Sequence, residues 1–568
     1  MSKRKDHPET DGAAECSPSA AADSGTQPER VDESRRDFLK TAGAAGATIL
    51  IAGSGLASVR EAVAAAKRSG TLVHLIQPEV PTLATYLSTS SPVSQGGTRA
   101  YAGLLEYDFD LNPLPSVAES WNVSEDGLTV TFKLRKDVKF HDGQPLTSAD
   151  VKYTILEVLK QVHPRGPNSF REVGEIGTPD EHTVILHLAN PAPYMMTALS
   201  SYESPIVPKH LFEGKDLRNL PYANEPIGAG PYKFVEWKRG QYIRFDAFED
   251  YFKPGLPGIE RLVQRSIADS ATRTAVLERG EAHLTGFGGV PYSDAIELGK
   301  LPHLDVTTKG YEMFSTMVWL EFNTKKVPFD NQKVRQAIAY AMDRQWIIDN
   351  IWFGFGKVAT GPINSNIKHL YTDEVRDYNI PDGMKMANQL LDEAGYPRKS
   401  DGVRFTIDHD LTPYGEEWQR FGEYVKQRLD QLGIKVNLRY EDVATWLRRV
   451  YTDYDFQVTS NWLHGFADPV IGVHRVYHSN SIRQGTVFVN CSRWSTPRTD
   501  ELMDMAAVEP DPAKRAALYK EFQQLVVEGV PVSWIHEIKF PTVYNKQFAD
   551  VITSPLGILG ALDQVHTA

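Results

Sequence analysis

Leu128-Thr-Val-Thr-Phe-Lys-Leu134, followed by Thr147-Ser-Ala-Asp150 and an apolar run, is the stretch from which the fold is read. Val130, Phe132 and Leu134 fall on one face and Thr129, Thr131 and Lys133 on the other, the period-two pattern of a half-buried strand. Thr147 and Asp150 have the spacing of a capping box, in which two side chains satisfy backbone N–H groups that a helix start leaves free. The helix so opened carries Val151, Ile155, Val158 and Leu159 on one side. A strand handing over to an amphipathic helix is the habit of an α/β chain.

The habit recurs outward from this stretch. Asn331 is placed to cap a helix burying Val334, Ile338 and Ala341. Phe421, Val425 and Leu432 line another helix, predicted to stop at Gly433. Ile434-Lys-Val-Asn-Leu438 then alternates as a strand. Asp511-Pro512 starts a late helix with Leu518, Phe522, Leu525 and Val526 predicted inward. The chain has 568 residues, too many for one core. No repeat and no low-complexity linker follows residue 70, so its domains are predicted to be joined by strands.

The net charge of −12 argues against a nucleic-acid footprint, which needs a basic face. Residues 1–33 are polar and read as disordered. Ser34-Arg-Arg-Asp-Phe-Leu-Lys40 precedes a weakly apolar run, Thr41–Val59, and then Ala62-Val-Ala-Ala-Ala66. A charged start, a modest apolar stretch and small residues describe a signal peptide, predicted to be cleaved near Ala66. The adjacent Arg35 and Arg36 resemble a twin-arginine (Tat) signal. A membrane anchor is the competing reading, but the run holds four glycines and falls short of a strongly apolar span. Of the two cysteines, Cys16 lies in this segment, so the mature chain keeps Cys491 alone and no internal disulfide.

Signatures of catalysis are missing: H-E-x-x-H, G-x-x-x-x-G-K-[ST] and G-x-S-x-G do not occur. His141-Asp-Gly143 reads as a turn, because no convergent metal ligands stand nearby in sequence. Gly228-Ala-Gly-Pro231 is a weak phosphate-loop candidate, since Pro231 removes a backbone donor. Neither a metal nor a cofactor is predicted.

Tyr101-Ala-Gly-Leu-Leu-Glu-Tyr-Asp108, Ala118-Glu-Ser-Trp121, Phe132-Lys-Leu-Arg135 and Val138-Lys-Phe-His-Asp-Gly143 form a distinctive series. Gly228-Ala-Gly-Pro-Tyr-Lys-Phe234, Phe322-Asn-Thr324, Met342-Asp-Arg344 and Leu390-Leu-Asp-Glu-Ala-Gly-Tyr396 continue it in order. The series resembles the dipeptide/oligopeptide/nickel solute-binding proteins of ABC transporters, known as solute-binding family 5. The resemblance implies an α/β periplasmic-binding-protein clamp of two lobes with an additional inserted small domain. Mapped here, lobe I takes 70–104, 229–322 and 538–568, the inserted domain 105–228 and lobe II 323–537. It also implies a periplasmic, monomeric binder that is not an enzyme, that closes on its solute by hinge motion, and that docks on a membrane permease driven by cytoplasmic ATPases. A Tat-exported enzyme is the competing class.

Asn461-Trp-Leu-His-Gly-Phe-Ala-Asp-Pro469 resembles the family's cleft loop. The resemblance makes Trp462, His464 and Tyr414 candidate ligand contacts, with Trp462 stacking on the solute; Asp468 is a further candidate, against its likeness to a structural acidic residue preceding Pro469. Peptide binders of the family place an aspartate three residues after this tryptophan, to pair with the peptide ammonium; Gly465 stands there. Leu411-Thr-Pro-Tyr-Gly415 lacks the arginine that dipeptide binders use for the carboxylate. Longer peptides, opine-like conjugates and glycosides therefore stay open as ligands, and free dipeptides are disfavoured.

Overall fold

The structure, a computed structural model, describes residues 68–568. Arg35, Arg36, Cys16, the polar residues 1–33 and the cleavage point near Ala66 lie outside the described residues.

Strand β1 (Thr71–Ile76) opens a seven-stranded sheet. The chain then builds a four-stranded antiparallel sheet from β2 (Ala118–Val123), β3 (Thr129–Leu134), β4 (Val173–Asp180) and β5 (Thr183–Leu188), in the order β2-β3-β5-β4. It returns to the first sheet with β6 (Tyr232–Lys238), β7 (Tyr242–Ala247), β8 (Arg261–Ser266), β9 (Leu284–Thr285) and β10 (Leu304–Thr307). A six-stranded sheet follows, made of β11 (Thr316–Phe322), β12 (Gly356–Val358), β13 (Phe405–Asp410), β14 (Ile434–Arg439), β15 (Val458–His464) and β16 (Val532–Ile538). β17 (Thr542–Asn545) then rejoins the first sheet, whose order is β10-β17-β9-β1-β8-β7-β6. The six-stranded sheet runs β12-β16-β11-β15-β13-β14. The chain passes between the two large sheets at residues 308–315 and again at 539–541.

These crossings correct one boundary. Thr316–Phe322, assigned above to lobe I, is a central strand of the second sheet, paired with β15 on one side and β16 on the other. All seven of its residues are buried, as a strand covered on both faces requires.

Local patterns decide most of the elements. In β3, Val130, Phe132 and Leu134 are buried and Lys133 is exposed. Helix α1 (Ser148–Tyr153) has its capping box, with the Thr147 N–H donating to Asp150 Oδ2 at 2.9 Å. It continues as a π-helical stretch, Thr154–Leu159, that buries Ile155, Val158 and Leu159. Helix α2 (Gln332–Ala341) is capped by Asn331, which accepts from the Lys333 N–H. Helix α3 (Glu416–Asp430) buries Phe421 and Val425 but ends before Leu432; Gly433 lies beyond it at φ +79°. Helix α4 (Pro512–Gly529) starts where Asp511 accepts from the Lys514 N–H. Leu525, predicted inward, is exposed: Tyr519, Phe522 and Val526 take the buried stripe, and Leu525 is turned about 100° from Val526.

The two short motifs explain each other. The Gly143 N–H closes the His141-Asp-Gly turn on Phe140 O, and buried His141 contacts the Gly228 N–H and the Gly230 carbonyl. A Cβ on Gly228 would stand 2.1 Å from Ala100 O, and one on Gly230 2.4 Å from Arg99 O. Close backbone packing sets this glycine pair. One continuous apolar core runs from the first sheet into the four-stranded sheet, and a second fills the space around the six-stranded sheet.

Candidate functional site

Strand β15 ends at the gap between the two cores. Its register sets Trp462 opposite Val318 and His464 opposite Thr316 on β11. Residues two apart share a face, so Trp462 and His464 point the same way. Asn461 points to the other side, where its amide donates to Glu321 and to the Tyr451 hydroxyl.

Rings from the first sheet's side meet this face. Phe287, in the loop after β9, lies 6.0 Å from His464, and Phe314, on the first crossing, lies 5.4 Å from it. Phe540, on the second crossing, stands 6.2 Å from Trp462 and stacks on Phe287 at 4.6 Å. Tyr414, just beyond β13, is 39% exposed and 6.4 Å from Trp462. Phe287, Ser315 and Phe466 all have left-handed backbones, with φ of 53°, 45° and 54°. Such residues cost about 1–3 kcal/mol each and persist where the surroundings hold them, often at ligand clamps.

His464 shares a 2.7 Å hydrogen bond between Nδ1 and the Thr316 hydroxyl. Burial first, then Arg475 and Arg165, hold its imidazole down at about 3. It therefore offers the cleft a neutral ring.

Asp468 requires a correction. It is 2% exposed, accepts from the Val470 N–H, and pairs both oxygens with Arg515 at 2.7 and 2.9 Å. A carboxylate held that way pins the 469–472 helix to α4 and has nothing free for a solute. Gly465 is also clearer. Its φ is not positive, its N–H donates to Ser315 O at 3.2 Å, and a Cβ there would stand 3.1 Å from that same oxygen. A side chain at this position would press on the Ser315 carbonyl.

Sequence reasoning missed Phe287, Phe314 and Phe540, which no motif marks. It also missed Arg165 of the inserted domain. This guanidinium lies 4.5 Å from the centre of the Phe466 ring and pairs bidentately with Glu203, one contact being 2.9 Å. A different open groove, about 750 Å³, is lined by His141, Lys233, Trp237, Arg239 and their neighbours. No residue of the six-stranded sheet reaches it, so it is not the gap between the sheets.

Two mixed α/β lobes, joined by two short crossings around an aromatic gap, define a two-lobed solute-binding clamp. The chain belongs to the bacterial extracellular solute-binding proteins, family 5, whose middle-region model matches residues 112–484. A twin-arginine translocation signal matches residues 34–52, and the protein is a Tat-exported periplasmic protein. Among its relatives is the heme-binding protein A of Haemophilus influenzae, 29% identical over 473 residues, covering 78% of this chain and 82% of that one. Another is the oligopeptide-binding protein AppA of Bacillus subtilis, 27% identical over 478 residues, covering 80% and 84%. The structure of AgaA from A. tumefaciens R10, in complex with agropinic acid, superposes with a TM-score of 0.70 at 29% identity, covering 88% and 99%. The protein is a solute-binding component of an ABC importer.

Proposed function

We propose that the aromatic gap is the solute site and that the protein captures a peptide-like or opine-like conjugate there, then delivers it to its permease chemically unchanged. The observation that carries this reading is the convergence of Trp462 and His464 with Phe287 and Phe540, rings contributed by both sides of the gap. A cleft of apolar rings with a few polar groups is the usual form of a small-molecule site. Trp462 stacks on the solute, Tyr414 forms the exposed wall, and His464 contributes a neutral ring. Relatives named for oligopeptide binding and bound to agropinic acid support the solute class. Gly465 offers no carboxylate to a free peptide ammonium, so ordinary dipeptides, which have few other groups to hold them, are poor ligands.

Calorimetry of the purified mature protein against dipeptides, tripeptides, agropinic acid and disaccharides tests this. Tight binding is expected among the tripeptides or agropinic acid, with dipeptides weak. Submicromolar dipeptide binding would show that the Gly465 loop has been misread.

A further inference from the structure

One half-buried charged group beside the gap has no carboxylate partner. Arg475 lies on the short helix His474–Tyr477, with its guanidinium 5.9 Å from the centre of the Phe466 ring. Its Nε donates to Gly472 O at 3.1 Å and its Nη2 to His464 O at 3.2 Å. Among the described residues, no carboxylate comes within ion-pair distance of it. The groups facing it are Arg165, Tyr451, Glu203 and Tyr202, and Glu203 is already held bidentately by Arg165. Two guanidinium groups thus lie 4.5 and 5.9 Å from the centre of one phenylalanine ring, and the one carboxylate near them is paired with Arg165. Burial, and then Arg165, pull the Arg475 guanidinium down to about 10. A guanidinium partly withdrawn from water gains from an anionic partner, because part of its hydration is already lost. Nη1 donates to no protein acceptor, and Nη2 has one N–H to spare.

We propose that Arg475 is the anchor for a carboxylate of the transported solute. This rests on the reading of the aromatic gap as the solute site. A guanidinium fork matches a carboxylate geometrically, and charge-assisted bonds are roughly twice as strong as neutral ones. The backbone bonds from Arg475 to Gly472 and His464 fix its plane, so little freedom is lost when an anion docks. The solute then lies with its anionic end at the Phe466 side and its flat or apolar part against Trp462.

Two matched probe pairs test the anchor: propionate against propionamide, and Ala-Phe-Ala against its C-terminal amide, at constant ionic strength. Propionate at high concentration is expected to raise the unfolding temperature of the wild type, and propionamide is not. Ala-Phe-Ala is expected to bind at least about tenfold more tightly than its amide. Arg475→Gln should abolish both differences, whatever its effect on the amide, and Arg475→Lys should keep part of them. A merely structural arginine would change both members of a pair alike, so the difference is the readout. If propionate acts through Arg475 but neither peptide binds, the anchor stands and the peptide-like reading falls. If peptide and amide bind equally, or if propionate does nothing, the anchor is wrong whatever the fate of that reading.

Discussion

Trp462 and Asp468 are six residues apart on one segment and do opposite work. Trp462 is half-buried, with the rings of Tyr414, His464 and Phe540 at 6.4, 5.3 and 6.2 Å. Trp462→Ala is expected to weaken binding of Ala-Phe-Ala or agropinic acid by about tenfold, since ring stacking contributes about 0.5–1.5 kcal/mol beyond the area it covers. Trp346→Ala, at a 45% exposed position, provides the comparison and should leave affinity unchanged in the same titration. Asp468 instead belongs to a buried ion pair whose side chains are 2% and 6% exposed. Breaking such a pair from one side costs about 3–5 kcal/mol, because the other charge stays buried alone. Asp468→Ala should therefore shift denaturant unfolding sharply. In whatever fraction folds, solute affinity should match the wild type.

At the scale of elements, β13 carries a charge that its surroundings oppose. Asp410 ends the strand, is fully buried, and neither carboxylate oxygen has a hydrogen-bond partner. Arg439 and Arg449 stand 3.6 and 3.5 Å away, too far for good hydrogen bonds, and each has a closer partner in Asp408 or Glu441. Burial raises the carboxyl to about 7, with Arg439 and Arg449 pulling back and Glu441 pushing up. A carboxyl raised in the folded state is fully compatible with folding only while it is protonated in both states. Its cost grows as pH climbs from the unfolded value of about 4 to the folded value, then levels off. Asp410→Asn should therefore be more stable than the wild type, by the largest margin above pH 7 and by little near pH 4. Parallel denaturation curves at the two pH values check this; an equal margin at both would rule out the charge as the cause.

The whole molecule has two consequences of its own. Because the lobes are joined at residues 308–315 and 539–541, a solute that touches both sides should draw them together. Small-angle scattering is expected to show a smaller radius of gyration with saturating agropinic acid or Ala-Phe-Ala, whichever binds. An unchanged profile would count heavily against closure. The second consequence is acid lability. Burial holds His163, His409, His464 and His536 at about 3 and His141 at about 4. Histidines lowered in the folded state take up protons first in the unfolded state, so stability is full above about pH 6.5 and falls as pH drops toward 4. Each contributes a slope on the order of 1.4 kcal/mol per pH unit in that window. Thermal unfolding recorded from pH 7.5 to pH 5 should stay level to about pH 6.5 and fall below it. A flat profile would mean that these rings are hydrated in solution.

Local chemistry wrote several elements into the sequence. The alternation of β3, the Thr147–Asp150 box, and the caps Asn331 and Asp511 need only neighbours a few residues away, so they could be read directly. So could the family and its clamp, because their motifs are short and ordered along the chain. The sequence could not place β11 in the second sheet: a strand buried on both faces shows no alternation to mark where a lobe begins. It could not show that Asp468 belongs to Arg515, forty-seven residues away, or that Leu525 faces out while Val526 faces in. The Phe287, Phe540 and Arg165 contacts were equally hidden, because each depends on chain segments that only the packed lobes bring together. The unpartnered charge at Arg475 is of the same kind, since whether a guanidinium lacks a carboxylate depends on everything packed around it in three dimensions.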